Sequence, residues 1–405
     1  MFISDAHFPL LLHLLINHAV VEMLHHALDS GVTNSEADRL MAECPTDVLL
    51  MAAGRIRDRS KPDIITYSRK VFINLVNLCR DTCTYCTYKK EPGNPMLSML
   101  NPSQVLAIAE AGKKLCCTEA LFVTGERPEQ KYEQARTWLH SLGYSSTVEY
   151  ICSMSKLVLE KTGLLPHTNA GSMTKKEMSM LQDTNVSLGL MLETSSERLM
   201  EKGMPHEDAP SKNPKVRIKA LKSAGELRLP ITTGLLVGIG ETQEDLIDSL
   251  FVIRELHEKY GHIQEVIMQN FAPKPETDMA KFPPASPEYF LRSVAMARIA
   301  MPDMNIQVPP NLNPDIFGRY ISAGINDWGG ISPVTIDHVN PEFPWPSIGL
   351  VRKTTESNGR KLRARLPVYP EFFKGGFITS ERLQKYTSLV ADSSGLVKED
   401  HYVND

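Results

Sequence analysis

The sequence predicts an α/β protein built as a parallel (β/α) barrel, complete or nearly so, and three observations predict it. Short apolar runs rich in β-branched residues alternate with longer amphipathic stretches through residues 71–322, the grammar of parallel strands joined by helical crossovers. Six of these runs read clearly as strands and up to two more read weakly; with crossovers of one hand, that count favours closure over an open sheet. Three cysteines follow the first run directly, on the loop where such a barrel carries its chemistry.

The elements follow in order. The apolar opening, residues 8–27, is interrupted by His13, Asn17, His18, Glu22, His25 and His26, too many polar groups for a membrane span. Without a basic flank or a clean small-residue cleavage site it is not a signal peptide either, and a packed helix is expected. Residues 34–59 read as a second helix, capped by Asn34 or Ser35 and broken at Pro45. A strand begins at Val71 and runs into the cysteine loop, followed by a helix at 102–114 opened by Asn101 and Pro102. Strand 119–123, helices 129–142 and 147–161, strand 164–168 and helix 175–182 continue the alternation. After them come strand 186–192, helix 214–224, strand 231–237, helix 243–260 and strand 264–269. Past a proline-rich loop at 272–287 lie helix 288–301, strand 305–308, helix 314–322 and a glycine-rich turn at 324–330. This divides the chain into a helical extension (1–60), the barrel (61–340) and a C-terminal segment (341–405) that packs over one end and finishes in a polar tail.

Composition narrows the ligand class. With 44 Lys and Arg against 48 Asp and Glu, net charge −4, the chain has no basic field for nucleic acid and no acidic tail, so a small-molecule substrate is expected. Seven cysteines, three of them bunched and two adjacent, make a poor disulfide framework and suit a reducing compartment, the cytoplasm in the simplest case.

Cys79, Cys83 and Cys86, at C-x3-C-x2-C spacing, can converge on one iron–sulfur cluster through their thiolates. Three is one ligand short of a closed site, which leaves one iron open to something else. Each later strand end offers a further polar group. The second ends in Gly125-Glu126, where glycine permits close backbone approach and the carboxylate can accept from a cation, although T-G-E alone also reads as a turn. The fourth delivers Glu193, a partner for ligand hydroxyls or a helix cap. The fifth carries Gly234, Gly238 and Glu241 in G-x3-G-x-G-E, which also suits a strand leading into a tight turn.

The cysteine spacing, with Tyr85 just before the last cysteine, resembles the signature of the radical S-adenosylmethionine (SAM) enzymes. In that family the open iron of a 4Fe-4S cluster chelates SAM, and one electron releases a 5′-deoxyadenosyl radical. The resemblance implies that Glu126 accepts the SAM ammonium, Glu193 the ribose hydroxyls, and that Gly234, Gly238 and Glu241 border the adenine. Tyr85 and Gly125 would complete the cofactor site. The match to the family's G-G-E motif is partial, because Thr124 stands where the first glycine belongs.

Longer phrases, among them YSRKVFI, TGERPE, GHIQEVIMQNF and DWGGISPVT, resemble the FO synthase family in its deazaflavin-forming part, over about residues 67–370. That resemblance implies a lyase and cyclase acting on 5-amino-5-(4-hydroxybenzyl)-6-(D-ribitylimino)-5,6-dihydrouracil. It would close the central ring, release ammonia and yield 7,8-didemethyl-8-hydroxy-5-deazariboflavin (FO), with 5′-deoxyadenosine and methionine. A partner radical SAM subunit would supply the condensation product, and a separate donor the electron. A substrate with ribityl hydroxyls, a uracil edge and a phenol needs hydrogen-bonding groups on the active face. Candidates are His167, Asn169, Gln269, Asn270, Gln307, Asn311 and Asp327, any of which could instead satisfy a loop backbone. The triad alone does not separate this activity from the partner's joining of tyrosine to the aminouracil, or from a related radical SAM enzyme. A non-catalytic iron–sulfur protein has little use for an open cluster position.

Overall fold

The structure is a computed structural model that describes residues 17–402. Eight parallel strands close into a barrel: β1 (Ile64–Val76), β2 (Glu119–Thr124), β3 (Leu165–Asn169), β4 (Ser187–Gly189), β5 (Ile231–Val237), β6 (Ile263–Asn270), β7 (Ile306–Gln307) and β8 (Asp327–Ile331). Each pairs with the next, and β8 pairs back onto β1. The expected barrel is therefore complete.

A ninth strand, β9 (Lys361–Arg365), was not legible as a strand, and it lies parallel to the first half of β1. Ile64 to Ser68 pair with β9, whereas from Lys70 onward the same edge pairs with β2. One long strand thus serves two neighbours in succession. Its first half, IITYSRK, reads as polar because Ser68 and Lys70 face the barrel interior while Ile65 and Tyr67 are buried. β8, expected as a glycine-rich turn, is a strand whose glycines make room inside. A Cβ on Gly329 would collide with the Gln307 side chain, and one on Gly330 would fall on that of Lys70.

The helices lie largely where the 3.6-residue periodicity puts them, with Gln243–Tyr260 matching at both ends. The 34–59 stretch breaks at Pro45 into Asn34–Glu43 and Thr46–Ser60, since proline offers no N–H to the preceding turn. Its cap is Thr33, in a capping box with Glu36, one residue before the expected position. Residues 129–142 form two pieces, Pro128–Lys131 and Glu133–Ser141, and 314–322 yields only a 3-10 turn at Phe317–Ile321. Much of the 8–27 stretch lies outside the described residues, which begin its helix at His18–Asp29. Helix Thr46–Ser60 packs on Pro287–Ala300, and Arg292 from the latter caps the carbonyl end of Asn34–Glu43 through Leu40, Met41 and Cys44. Among the described residues no helix is long and apolar enough to cross a membrane.

After β9 the chain runs beneath the barrel. Pro367 O accepts from Ser187 Oγ (2.5 Å) and Gln264 Nε2 (3.1 Å), and Arg365 turns inward to meet Asp327 Oδ2 (2.6 Å) and Glu265 Oε1 (2.7 Å). The amino ends of the strands are therefore floored by the C-terminal segment, and the carboxyl ends are left open for the site.

Candidate active site

β1 ends at Val76 and the cysteine loop leaves it among fixed partners. Gly125 N–H donates to Val76 O (2.8 Å), Arg80 N–H to Glu126 O (2.8 Å), and Thr82 N–H to Asp208 O (2.8 Å). Tyr88 Oη donates to Val123 O (3.1 Å), and Tyr85 Oη meets His206 Nε2 at 2.9 Å. The loop is thereby tied to the ends of β1 and β2 and to the segment before helix Pro214–Glu226. Gly125 is glycine for a steric reason, because any Cβ would strike the Leu78 carbonyl where the two strand ends cross.

Cys79, Cys83 and Cys86 all border one cavity of about 340 Å³ that runs down the barrel axis. Burial pushes the Cys79 thiol up to about 11 and that of Cys83 higher still. Glu126 N–H points at Cys79 Sγ (3.2 Å), an interaction that favours the thiolate. Among the described residues no three His, Cys, Asp or Glu side chains are grouped to hold a single metal ion. A 4Fe-4S cluster makes no such demand, since each thiolate binds a different iron and the sulfurs stand apart.

Glu126 sits beside this triad, buried. Its Oε2 accepts from Ser172 N–H (2.9 Å), while Oε1 makes no hydrogen bond and lies 3.6 Å from Arg127 Nε in a long ion pair. Gly171, at φ 72°, leaves no room for a side chain against that carboxylate. Burial raises its pKa, with Arg217 opposing. A buried carboxylate on a cavity wall, with one oxygen free of hydrogen bonds and only a long ion pair, can accept a further cationic donor, and the ammonium of an amino acid moiety is one such group. Glu193 also borders the cavity, at φ 67°, in an ion pair with Lys212.

The other strand-end residues divide. Tyr85, His167, Asn169, Gln269, Asn270 and Gln307 border the cavity with Gly125, Glu126 and Glu193. Gly234, Gly238 and Glu241 are not among the residues lining that cavity. Gly234 lets β5 pass close to the Ile267 backbone of β6. Glu241 spends its carboxylate on the N–H groups of Gly238 (2.6 Å) and Ile239 (2.9 Å), stabilising its own turn. Asn311 and Asp327 also stand off the wall. Asn311 Nδ2 donates to Asp337 Oδ2 (3.1 Å) and Phe343 O (3.0 Å), and Asp327 is consumed by Arg365 and Thr66. The Asp327 carboxylate and the Asn311 amide nitrogen are thus engaged, while Asn311 Oδ1 is buried without a hydrogen bond.

Sequence reasoning missed the lower wall: Lys70, Glu119, Thr232, Glu265 and Arg365. Its signal was available as inward positions of period two on β1, β2, β5 and β6, but it needed the strand register. Glu119 accepts from Ser68 Oγ, Thr232 Oγ1 donates to Glu265 Oε2 (2.9 Å), and Tyr369 Oη donates to Glu265 Oε1 (2.8 Å). Ser187 gives its proton to Pro367 O, so His167 Nδ1, 2.6 Å from Ser187 Oγ, is the donor there. That leaves Nε2 of a neutral ring facing Gly189 and the cavity, and burial lowers this histidine to about 4.

Residues 73–253 match the Radical SAM superfamily. The 7,8-didemethyl-8-hydroxy-5-deazariboflavin synthase of Methanopyrus kandleri is 47% identical over 335 residues, 83% of this chain and 100% of that protein. The enzyme of the same name from Methanocaldococcus jannaschii is 42% identical over 358 residues, 88% of this chain and 98% of its own. The FO synthase of Streptomyces coelicolor is 44% identical over 370 residues, covering 88% of this chain but 43% of that longer protein. Among solved structures, the FeFe-hydrogenase maturase HydG from Carboxydothermus hydrogenoformans superposes with a TM-score of 0.72 at 17% identity over 92% of this chain and 89% of that one. Methylornithine synthase (PylB) does so at 0.66 and 18%, over 84% and 97%. At such identities the likeness speaks to the barrel alone.

Proposed function

The chain belongs to the radical SAM family of 7,8-didemethyl-8-hydroxy-5-deazariboflavin (FO) synthases, and from that premise we propose that it performs the ring-closing, ammonia-releasing half of FO formation. The substrate is the condensation product of tyrosine and a ribityl-aminouracil, delivered by a partner radical SAM subunit. The two-domain relatives support such a partner, since this chain covers under half of their length.

Cys79, Cys83 and Cys86 would hold the 4Fe-4S cluster. Bound there, cluster and SAM supply the hydrogen-atom abstraction that starts the reaction. Glu126 Oε1 receives the SAM ammonium, and Glu193, held by Lys212, offers an acceptor to the ribose. The substrate occupies the cavity below, where Asn169, Gln269, Asn270 and Gln307 present amides and His167 presents an acceptor nitrogen. The barrel wall and the floor made by β9 exclude water from the reacting atoms.

One observation carries this reading. The cysteine triad, the buried Glu126 carboxylate and a deep polar wall all line the same cavity. The test is anaerobic reconstitution of the full chain with iron and sulfide, then incubation with SAM, a reductant and the condensation product. FO and 5′-deoxyadenosine should appear together. Consumption of tyrosine and aminouracil in place of the condensation product would assign the chain to the partner activity instead.

A further inference from the structure

Lys70 is a wall residue that the roles above leave unused. It projects inward from β1 and is 8% exposed, yet its ammonium makes no hydrogen bond or ion pair with a described residue. Its neighbours are ring faces, Trp345 at 4.9 Å and Phe72 at 5.6 Å from their centroids. The fold makes room for it, because a Cβ on Gly330 would lie 2.5 Å from both Cε and Nζ of Lys70. A buried amine with its protons aimed into a cavity is costly unless a ligand meets it.

The groups around it are less free to move a proton. Glu119 on β2 is held by Ser68, and Glu265 on β6 by Thr232, Tyr369 and Arg365. Asp337, on the loop after β8, accepts from Val339, Asn340 and Asn311. His167 on β3 donates through Nδ1, and Arg365 on β9 stays protonated. Burial lowers the Lys70 pKa, with Glu119, Asp337 and Glu265 opposing and Arg365 assisting.

Resting on the ring-closing reading, we propose that Lys70 is the proton-transfer residue for the amine that the substrate loses. As an ammonium it protonates the substrate nitrogen. The carbon–nitrogen bond then breaks with its electron pair going to nitrogen, which departs as ammonia. The neutral Lys70 amine takes the proton of an adjoining C–H or N–H, whose electron pair forms the new double bond. One proton is given and one is taken, so the step needs no oxidant.

The test uses the reconstituted full chain with SAM, reductant and condensation product, following 5′-deoxyadenosine and FO separately across pH. Lys70→Met should keep SAM binding and 5′-deoxyadenosine formation within about threefold, while FO falls by roughly a hundredfold or more. Lys70→Arg should not restore FO, because a guanidinium keeps its proton. Gly330→Ala, which pushes the intact amine aside, should lower FO in the same selective way and stands in if Lys70→Met does not fold. Lys70→Arg with wild-type FO formation and an unchanged pH profile would overturn the assignment, as would joint loss of both products in Lys70→Met with recovery in Lys70→Arg. Either result marks a charge that only positions substrate. Wild-type protein that makes no FO sinks the ring-closing reading, and this assignment with it.

Discussion

At the scale of single residues, the groups proposed to hold the cofactor can be told from their neighbours by substitution. Substituting serine for Cys79, Cys83 or Cys86 should each abolish cluster assembly, since three thiolates leave no spare, whereas Cys152→Ser, off the cavity wall, should retain it. Iron content and the visible absorbance after reconstitution check this. Glu126→Gln should weaken SAM binding by roughly ten- to a hundredfold, the loss of a charge-assisted hydrogen bond worth about 1.5–3 kcal/mol. The same change should leave the melting temperature of the cofactor-free protein unchanged or raised at neutral pH. Burial raises the Glu126 pKa, so the folded state holds that proton more tightly than the unfolded one and loses stability from this group as pH rises. A melting temperature that falls with SAM affinity would make the residue structural.

At the scale of elements, β9 is the least expected part. Lys361 to Arg365 pair with the first half of β1 and bring Arg365 to the buried carboxylates of Asp327 and Glu265. Arg365→Met removes the shared counter-charge of both and should cost about 3–5 kcal/mol, read from the denaturant midpoint. Adding Asp327→Asn and Glu265→Gln should recover part of that loss, because the cost lies in stranded charge more than in a lost contact. A triple variant no better than Arg365→Met would put the weight on packing instead.

At the scale of the whole molecule, buried histidines set the acid limit. Burial lowers His167 and His262 to about 4 from an ordinary 6.5. The unfolded chain therefore takes up their protons first as pH falls. Their stabilisation is complete above about 6.5 and is lost as pH drops toward about 4, roughly 3 kcal/mol for each at the extreme. Urea midpoints measured between about pH 7.5 and 5 should fall steeply, and His262→Asn should flatten that slope while leaving the cavity intact. An unaltered slope would show that His262 is not buried neutral.

The alternation of β-branched and amphipathic runs determined the barrel, because each run's burial pattern follows from its own period. The C-x3-C-x2-C spacing put three cysteines on one loop for a similar reason, since they lie within eight residues of one another, and all three line the cavity. The place of Glu126 on the cavity wall was legible because it follows a strand one βα unit later. What failed had non-local causes. The 324–330 stretch reads as a turn by composition, yet its glycine pair clears space for Gln307 and Lys70 inside a strand. β9 is too short and polar to announce itself, and only its pairing with the exposed edge of β1 makes it a strand. The lower wall could not be read at all, since Lys70, Glu119, Glu265 and Arg365 come from four strands. Charges so far apart in the chain meet only when barrel register turns them to the same side, and that depends on tertiary pairing.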